Sequence, residues 1–248
     1  MRARIQATLA GFGRMLADCS PDARSLEIGS VNAQVNPAVP DSSLFNGVDY
    51  EDPADLPGAL DELAENYRDA GVRAWTVWVP EDDAGNRELV RSRGHVLDAD
   101  PAAMILDLDR LEPDPGIELD LDPEPRIADL ARLNDLAYGT SYFVHGLVVQ
   151  PPQAWLYVAR VGGRPASTVM TFDHDGDCYV AFVATDPGAQ GRGLATALMT
   201  HALAEGRERG CTISTLEATR AGEPVYERMG YRRLFAYEMW ERREPAGA

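Results

Sequence analysis

The fold turns on residues 183–196: Val183-Ala184-Thr185-Asp186-Pro187-Gly188-Ala189-Gln190-Gly191-Arg192-Gly193-Leu194-Ala195-Thr196. An apolar, β-branched run ends at a proline, crosses a glycine-rich turn and enters a helix-forming segment. Free backbone N–H groups at a helix N-terminus attract anions, and the helix dipole adds to the attraction. Gly191 and Gly193 let the backbone approach a phosphate where a Cβ would obstruct it. Arg192 places a cation in the same turn. A purely structural turn would use the same glycines, so GxG alone has little specificity. The spacing is neither G-x-x-x-x-G-K-[ST] nor G-x-G-x-x-G, which argues against the nucleotide-binding loops.

Thirty residues on, the segment AGEPVYERMGY places Tyr226 ahead of Gly230-Tyr231. Together, Gln190-Gly191-Arg192-Gly193-Leu194-Ala195 and Tyr226…Gly230-Tyr231 resemble the two signatures of the GCN5-related N-acetyltransferases (GNAT), (Q/R)-x-x-G-x-(G/A) followed by Y-x-x-x-G-(F/Y). The resemblance covers about residues 125–240. It implies that the N–H groups of Gly191 to Ala195, with Gln190 and Thr196 in the same segment, cradle the pyrophosphate of acetyl-coenzyme A. It also implies that Val183, Ala184 and Thr185 pair with the pantetheine arm, which behaves as an added strand. Tyr226 is then the proton donor to the departing thiolate. A phenol near pKa 10 is an adequate donor to a thiol of roughly 8.5 once a positive amine is close.

Outward from this stretch, Arg207 and Arg209 close a helix over residues 193–209, with Gly210 just past its end. A strand over 212–218, a helix ending near Met229 and a strand over 232–239 follow. Before it lie strands over 154–161, 166–172 and 178–185; Gly162-Gly163 and Asp175-Gly176 supply the hairpin turns. A helix over 126–138 carries Ile127, Leu130, Leu133 and Leu136 on one face. Residues 111–125 (LEPDPGIELDLDPEP) form an acidic, proline-rich linker in which Ile117, Leu119 and Leu121 alternate as a short edge strand.

The earlier region repeats the later one in weakened form. ALDELAENYRDAGVRAWTVWV resembles ALMTHALAEGRERGCTISTLEA, and AGNRELVRSRGH resembles AGEPVYERMGY with one residue inserted. Val90 takes the place of Tyr226, and YEDPADLPGAL (residues 50–60) puts prolines and carboxylates where a phosphate loop belongs. The expected organisation is a degenerate GNAT-like lobe (1–110), the linker (111–125) and a catalytic lobe (126–248). The fold class is α/β, an α+β mixed sheet of the acyl-CoA N-acyltransferase type.

Composition sets the outer limits. The chain has 248 residues and a net charge of -17, and all 23 of its Lys+Arg residues are arginine. That balance excludes general nucleic-acid binding, which needs a surplus of cations. It suits steering of a cationic acceptor, although a GC-biased coding habit explains the missing lysine equally well. Cys19, Cys178 and Cys211 show neither disulfide nor metal-ligand spacing, so no metal is expected. No apolar run reaches the roughly 18 residues of a membrane span. The N-terminal apolar residues Ile5, Leu9, Phe12 and Met15 recur at helical spacing rather than as a signal peptide. A cytoplasmic protein, monomeric or homodimeric, is expected.

The activity implied is direct transfer of an acetyl group to a primary amine of a small molecule or peptide. A non-catalytic acyl-coenzyme A sensor and transfer of a longer acyl group are the alternatives. No acidic residue lies in 178–185, where many relatives hold a general base; Glu217, Glu223, Asp177 and His174 are the candidates. Tyr142, Phe143 and His145, within residues 138–149, are candidates for the acceptor side. Trp75, Trp78, Trp155 and Trp240 read as core.

Overall fold

A computed structural model describes residues 1–111 and 116–244. The chain divides into two compact units, one of Met1–Ala102 together with the chain from Phe235 on, the other Ala103–Leu234. The first unit opens with α1 (Arg2–Ala17), β1 (Arg24–Ile28), β2 (Val31–Val35) and β3 (Gly47–Tyr50). It continues through α2 (Leu56–Asp69), β4 (Ala74–Pro80), α3 (Ala84–Ser92) and β5 (Val96–Ala99). The second contains β6 (Ala102–Asp107) from its second residue, β7 (Asp120–Leu121), α4 (Ile127–Tyr138), α5 (Phe143–Gly146), β8 (Ala154–Val161) and β9 (Arg164–His174). Then come β10 (Asp177–Thr185), α6 (Leu194–Glu208), β11 (Ile213–Ala218) and α7 (Glu223–Arg228). The last strand, β12 (Arg232–Arg243), carries the chain back into the first unit.

Within the first unit the strands run β1-β2-β3-β4-β12, and β5 also pairs with β12. Antiparallel hairpins join β1, β2 and β3, while β3 and β4 run parallel across the α2 crossover. Alternation along β2 and β3 sends Val31, Val35 and Val48 into an apolar core with Leu60 and Leu63 of α2, Val77, Val90 and Trp240. The opposite face is polar and buried. There Asn32 donates to Asp49 Oδ1 (3.2 Å) and accepts from Arg14 of α1 (2.9 Å).

The second unit orders its strands β6-β11-β10-β9-β8-β7. Long antiparallel ladders join β8, β9 and β10, and β10 runs parallel to β11 across α6. Helices α4 and α6 both pack on β9 and β10. On the α6 side, Gly206 leaves room for Cys178 Sγ, which a Cβ there would approach to 2.6 Å.

The predicted helices and strands of the second unit appear within one to four residues of their expected ends. Four expectations need correction. The proline-rich stretch does not separate the units. Ile117 and Leu119 within it pack with Ala166, Ala189 and Leu194 inside the second unit; Pro113 and Pro115 lie outside the described residues. Leu136 is 47% exposed although it shares the predicted apolar stripe of α4. Trp155 is 43% exposed, its ring under the Arg209 guanidinium at 4.3 Å, a cation–π contact rather than core. Trp78 is half-buried, whereas Trp75 and Trp240 are core. Sequence reading also missed β1, β2 and β3; in β2 and β3 the polar alternate residues form a second buried face, and β1 is largely exposed.

Candidate active site

The site begins with a fault in a strand. Between Ala181 and Ala184 the β10 ladder with β9 gains one residue on the β10 side, a β-bulge. Phe182 sits there at φ +53°, a left-handed conformation that a bulky side chain adopts only when its surroundings hold it. Asn134 of α4 supplies that hold. It is fully buried, and its Nδ2 donates to the carbonyls of Leu130 (2.9 Å) and Phe182 (3.2 Å). Tyr138 at the end of α4 points its hydroxyl at the Val183 carbonyl, 3.4 Å away. On the other side, β10 and β11 share the ladder pair Asp177↔Ile213 near the strand start. Beyond that pair β10 carries the bulge before it reaches the loop.

The residues expected from the sequence gather around this fault. Val183 and Ala184 form the far side of the bulge, and the Ala184 carbonyl accepts from Ser167 Oγ (3.2 Å). Thr185 ends the strand, with its hydroxyl 2.9 Å from Ser167 Oγ. Gln190 folds back to donate to the Thr185 carbonyl (3.3 Å), fastening loop to strand. Asp186 caps the short turn Pro187–Ala189: its side chain takes the Gly188 N–H (2.8 Å), and its carbonyl takes the Ala189 N–H (2.8 Å).

The next donors are left open. Among the described residues, no acceptor takes the N–H groups of Gly191, Arg192, Gly193, Leu194 or Ala195. Gly191 and Gly193 both adopt φ +74°, and a Cβ on Gly193 would overlap Ile117 Cδ1. Leu194 is buried and anchors the turn, while Ala195 and Thr196 are half-buried in the first turn of α6. Five successive donors at the head of a 15-residue helix, with exposed Arg192 among them, form an anion-binding nest.

Tyr226, half-buried on α7, lies near Tyr138 and sets its ring 6.0 Å from that of Tyr231. Burial, with a smaller push from the Tyr138 phenol, raises its pKa above the ordinary tyrosine value. The phenol therefore keeps its proton at neutral pH.

The four candidate bases separate. His174 and Asp177 pair across the β9–β10 turn, at the end of β10 away from the bulge. Asp177 is fully buried and accepts from Thr215 Oγ1 (2.7 Å). Glu223 lies in the first turn of α7. Glu217 stands apart from these. Counting four residues from the Asp177↔Ile213 pair, it is level with Ala181, where the bulge begins. Its Oε2 accepts from Tyr179, its Oε1 is buried without a partner, and burial with Asp177 nearby pushes its carboxyl up to about 7.

Sequence reading did not find Asn134 or Tyr138. The available signal was a polar residue, Asn134, on the apolar stripe of α4 beside Leu130 and Leu133. His145 is exposed, and Tyr142 and Phe143 stack together at 4.9 Å. Among the described residues no His, Cys, Asp or Glu group has the arrangement to hold a metal. No helix among them is long and apolar enough to cross a membrane.

The mixed sheet with its bulged strand and open N–H nest belongs to the acyl-CoA N-acyltransferase fold class. The Acetyltransferase (GNAT) family model matches residues 118–231. Residues 118–231 are thus similar to the GNAT family, a family of acetyltransferases. Solved structures with the same fold include a GCN5-related N-acetyltransferase from Kribbella flavida at 17% identity. It has a TM-score of 0.70, covering 99% of this chain and 96% of that one. Another, from Sphaerobacter thermophilus, gives 0.62 at 18% identity over 90% and 84%. A tandem GNAT protein from the clavulanic acid biosynthesis pathway gives 0.60 at 12% identity over 92% and 85%. No curated protein matches the chain in sequence.

Proposed function

We propose that the second unit moves the acetyl group of acetyl-coenzyme A directly to a primary amine, in a ternary complex without a covalent enzyme intermediate. The open donors of Gly191 to Ala195, one strand-length from the bulge, carry this reading: they suit a pyrophosphate, and the backbone of Val183, Ala184 and Thr185 suits a pantetheine arm. The amine nitrogen attacks the thioester carbonyl carbon, and the C–S bond breaks as the amide forms. Glu217 takes the proton that the ammonium must lose before attack, and Tyr226 returns one to the departing thiolate. Cys178 and Cys211 are buried and free, which suits inert core thiols better than nucleophiles.

In the same reading the first unit is a degenerate lobe of a tandem protein. The place is cytoplasmic, and the acceptor is a small molecule or a peptide. The test is thiol release from acetyl-coenzyme A against a panel of amines. Tyr226→Phe is expected to lower turnover at least about tenfold while leaving coenzyme affinity near wild type. Unchanged turnover would remove the proton-donor role, and coenzyme binding without thiol release from any amine would favour a sensor.

A further inference from the structure

We propose that the acceptor amine is carried on an aromatic or aliphatic body with no acid group beside the nitrogen; this rests on the amine-acetylation reading above. The bulge has a wall of rings next to it. Phe143 is buried, stands edge-on to Phe182 at 5.6 Å and stacks with Tyr138 (6.1 Å) and Tyr142 (4.9 Å). Tyr138 is 53% exposed while its hydroxyl reaches the Val183 carbonyl. The wall therefore starts at the strand that is proposed to hold the thioester and runs outward. Val144, next to Phe143 on α5, and Val148 and Val149 just after it are all exposed. Asp135, the acid nearest in sequence to these rings, is occupied, its two oxygens taking the Phe143 and Val144 N–H groups (both 3.0 Å).

Level with the start of the bulge, on the face of β10 opposite α6, Glu217 offers a buried oxygen that nothing else takes. An ammonium there meets a carboxylate, and its body meets ring faces that attract cations and shed water from apolar surface. A carboxylate on the same carbon would be brought beside Glu217 and Asp177. The segments that build wall and notch, residues 133–159, 177–185 and 213–218, contain no arginine, and the whole chain has no lysine. Within those segments an acid group would meet no arginine or lysine to compensate its burial.

The experiment compares 2-phenylethylamine, phenylalanine methyl ester and phenylalanine as acceptors, by thiol release from acetyl-coenzyme A. The expected result is kcat/KM for the amine and the ester roughly 100-fold or more above that for the amino acid. Tyr138→Ala is expected to raise KM for 2-phenylethylamine at least about tenfold more than it raises that for methylamine. Equal or better use of phenylalanine would overturn the proposal, as would equal loss for both amines in the variant. Failure of the underlying reading looks different: acetyl-coenzyme A binds, but no amine of any kind releases thiol, and the proposal falls with it.

Discussion

Residues 51–55 and residues 186–195 hold the same position in their respective units, between a parallel strand and the helix that crosses to the next one. In the first loop every donor is spent or missing. Glu51 N–H goes to the Ser30 carbonyl (3.2 Å), Asp52 to Ser30 Oγ (2.9 Å), Ala54 to Asp52 Oδ1 (2.9 Å) and Asp55 to the Asp52 carbonyl (3.1 Å). Pro53 has none to give. The Asp55 carboxylate then takes the Ser30 N–H (2.8 Å), which holds its pKa below the usual carboxylate range. In the second loop the donors of Gly188 and Ala189 are used to build a turn, and those of Gly191 to Ala195 are left open. The two loops share a topology and differ in where their N–H groups go. A phosphate site is thus a surplus of donors as much as a presence of glycine.

The strands behind the loops differ in the same sense. The ladder between β3 and β4 holds two successive pairs, Gly47↔Thr76 and Val48↔Val77. In the second unit the pair Asp177↔Ile213 joins β10 to β11, and the bulge lies further along β10. Each unit nevertheless buries an acid on its polar face, Asp49 in the first and Glu217 in the second, and burial pushes both up to about 7. Asp49 is held by Asn32 and neighboured by Arg14, with α1 over it. Glu217 keeps one oxygen uncommitted.

The largest expected effect breaks the loop comparison directly. Gly193→Val puts a β-branched residue at φ +74° against Ile117, and acetyl-coenzyme A affinity should fall at least about 100-fold by calorimetry. Asp55→Gly in the other loop should leave it unchanged. If Gly193→Val binds within about threefold of wild type, the nest is not the phosphate site.

Next in size, Glu217→Gln separates the two acids by function. A base must be unprotonated to act, so wild-type kcat/KM should rise with pH through about 7. The variant should lose that limb and about tenfold or more in turnover; a retained inflection near 7 would assign the base elsewhere. The smallest effect is on stability. With its folded value near 7 against an ordinary 3.8, Asp49 favours the native state fully only at low pH, and that contribution is lost as pH rises through 7. Asp49→Asn should therefore raise the thermal midpoint by about 3 °C or more at about pH 8, less at intermediate pH, and leave it nearly unchanged only near about pH 3, below both values. Equal midpoints at the higher pH would show that Arg14 compensates the buried charge.

Much of the second unit is legible in the sequence alone. Strand periodicity over 154–185, Gly-Gly and Asp-Gly turns, and the Gly191 and Gly193 pair are local signals, because each depends on conformations that neighbouring residues dictate. Tyr226 is legible through its spacing to Gly230. The bulge is not, since Phe182 in a run such as AFVA gives no sign that Asn134, 48 residues earlier, holds its carbonyl. Glu217 stands among four candidates of equal sequence weight, and only the Asp177↔Ile213 register brings it level with the bulge.

The sequence by itself determined most elements of the second unit, the donor-rich turn and the proline- and carboxylate-rich character of the first loop, since glycine, proline and carboxylate act through their own backbone and charge. Tertiary structure decided which acid lies beside the bulge, which rings face it, and that β12 completes the first unit while the proline-rich stretch lies within the second. Those outcomes depend on strand register and on contacts between residues far apart in the chain, and no local pattern encodes either.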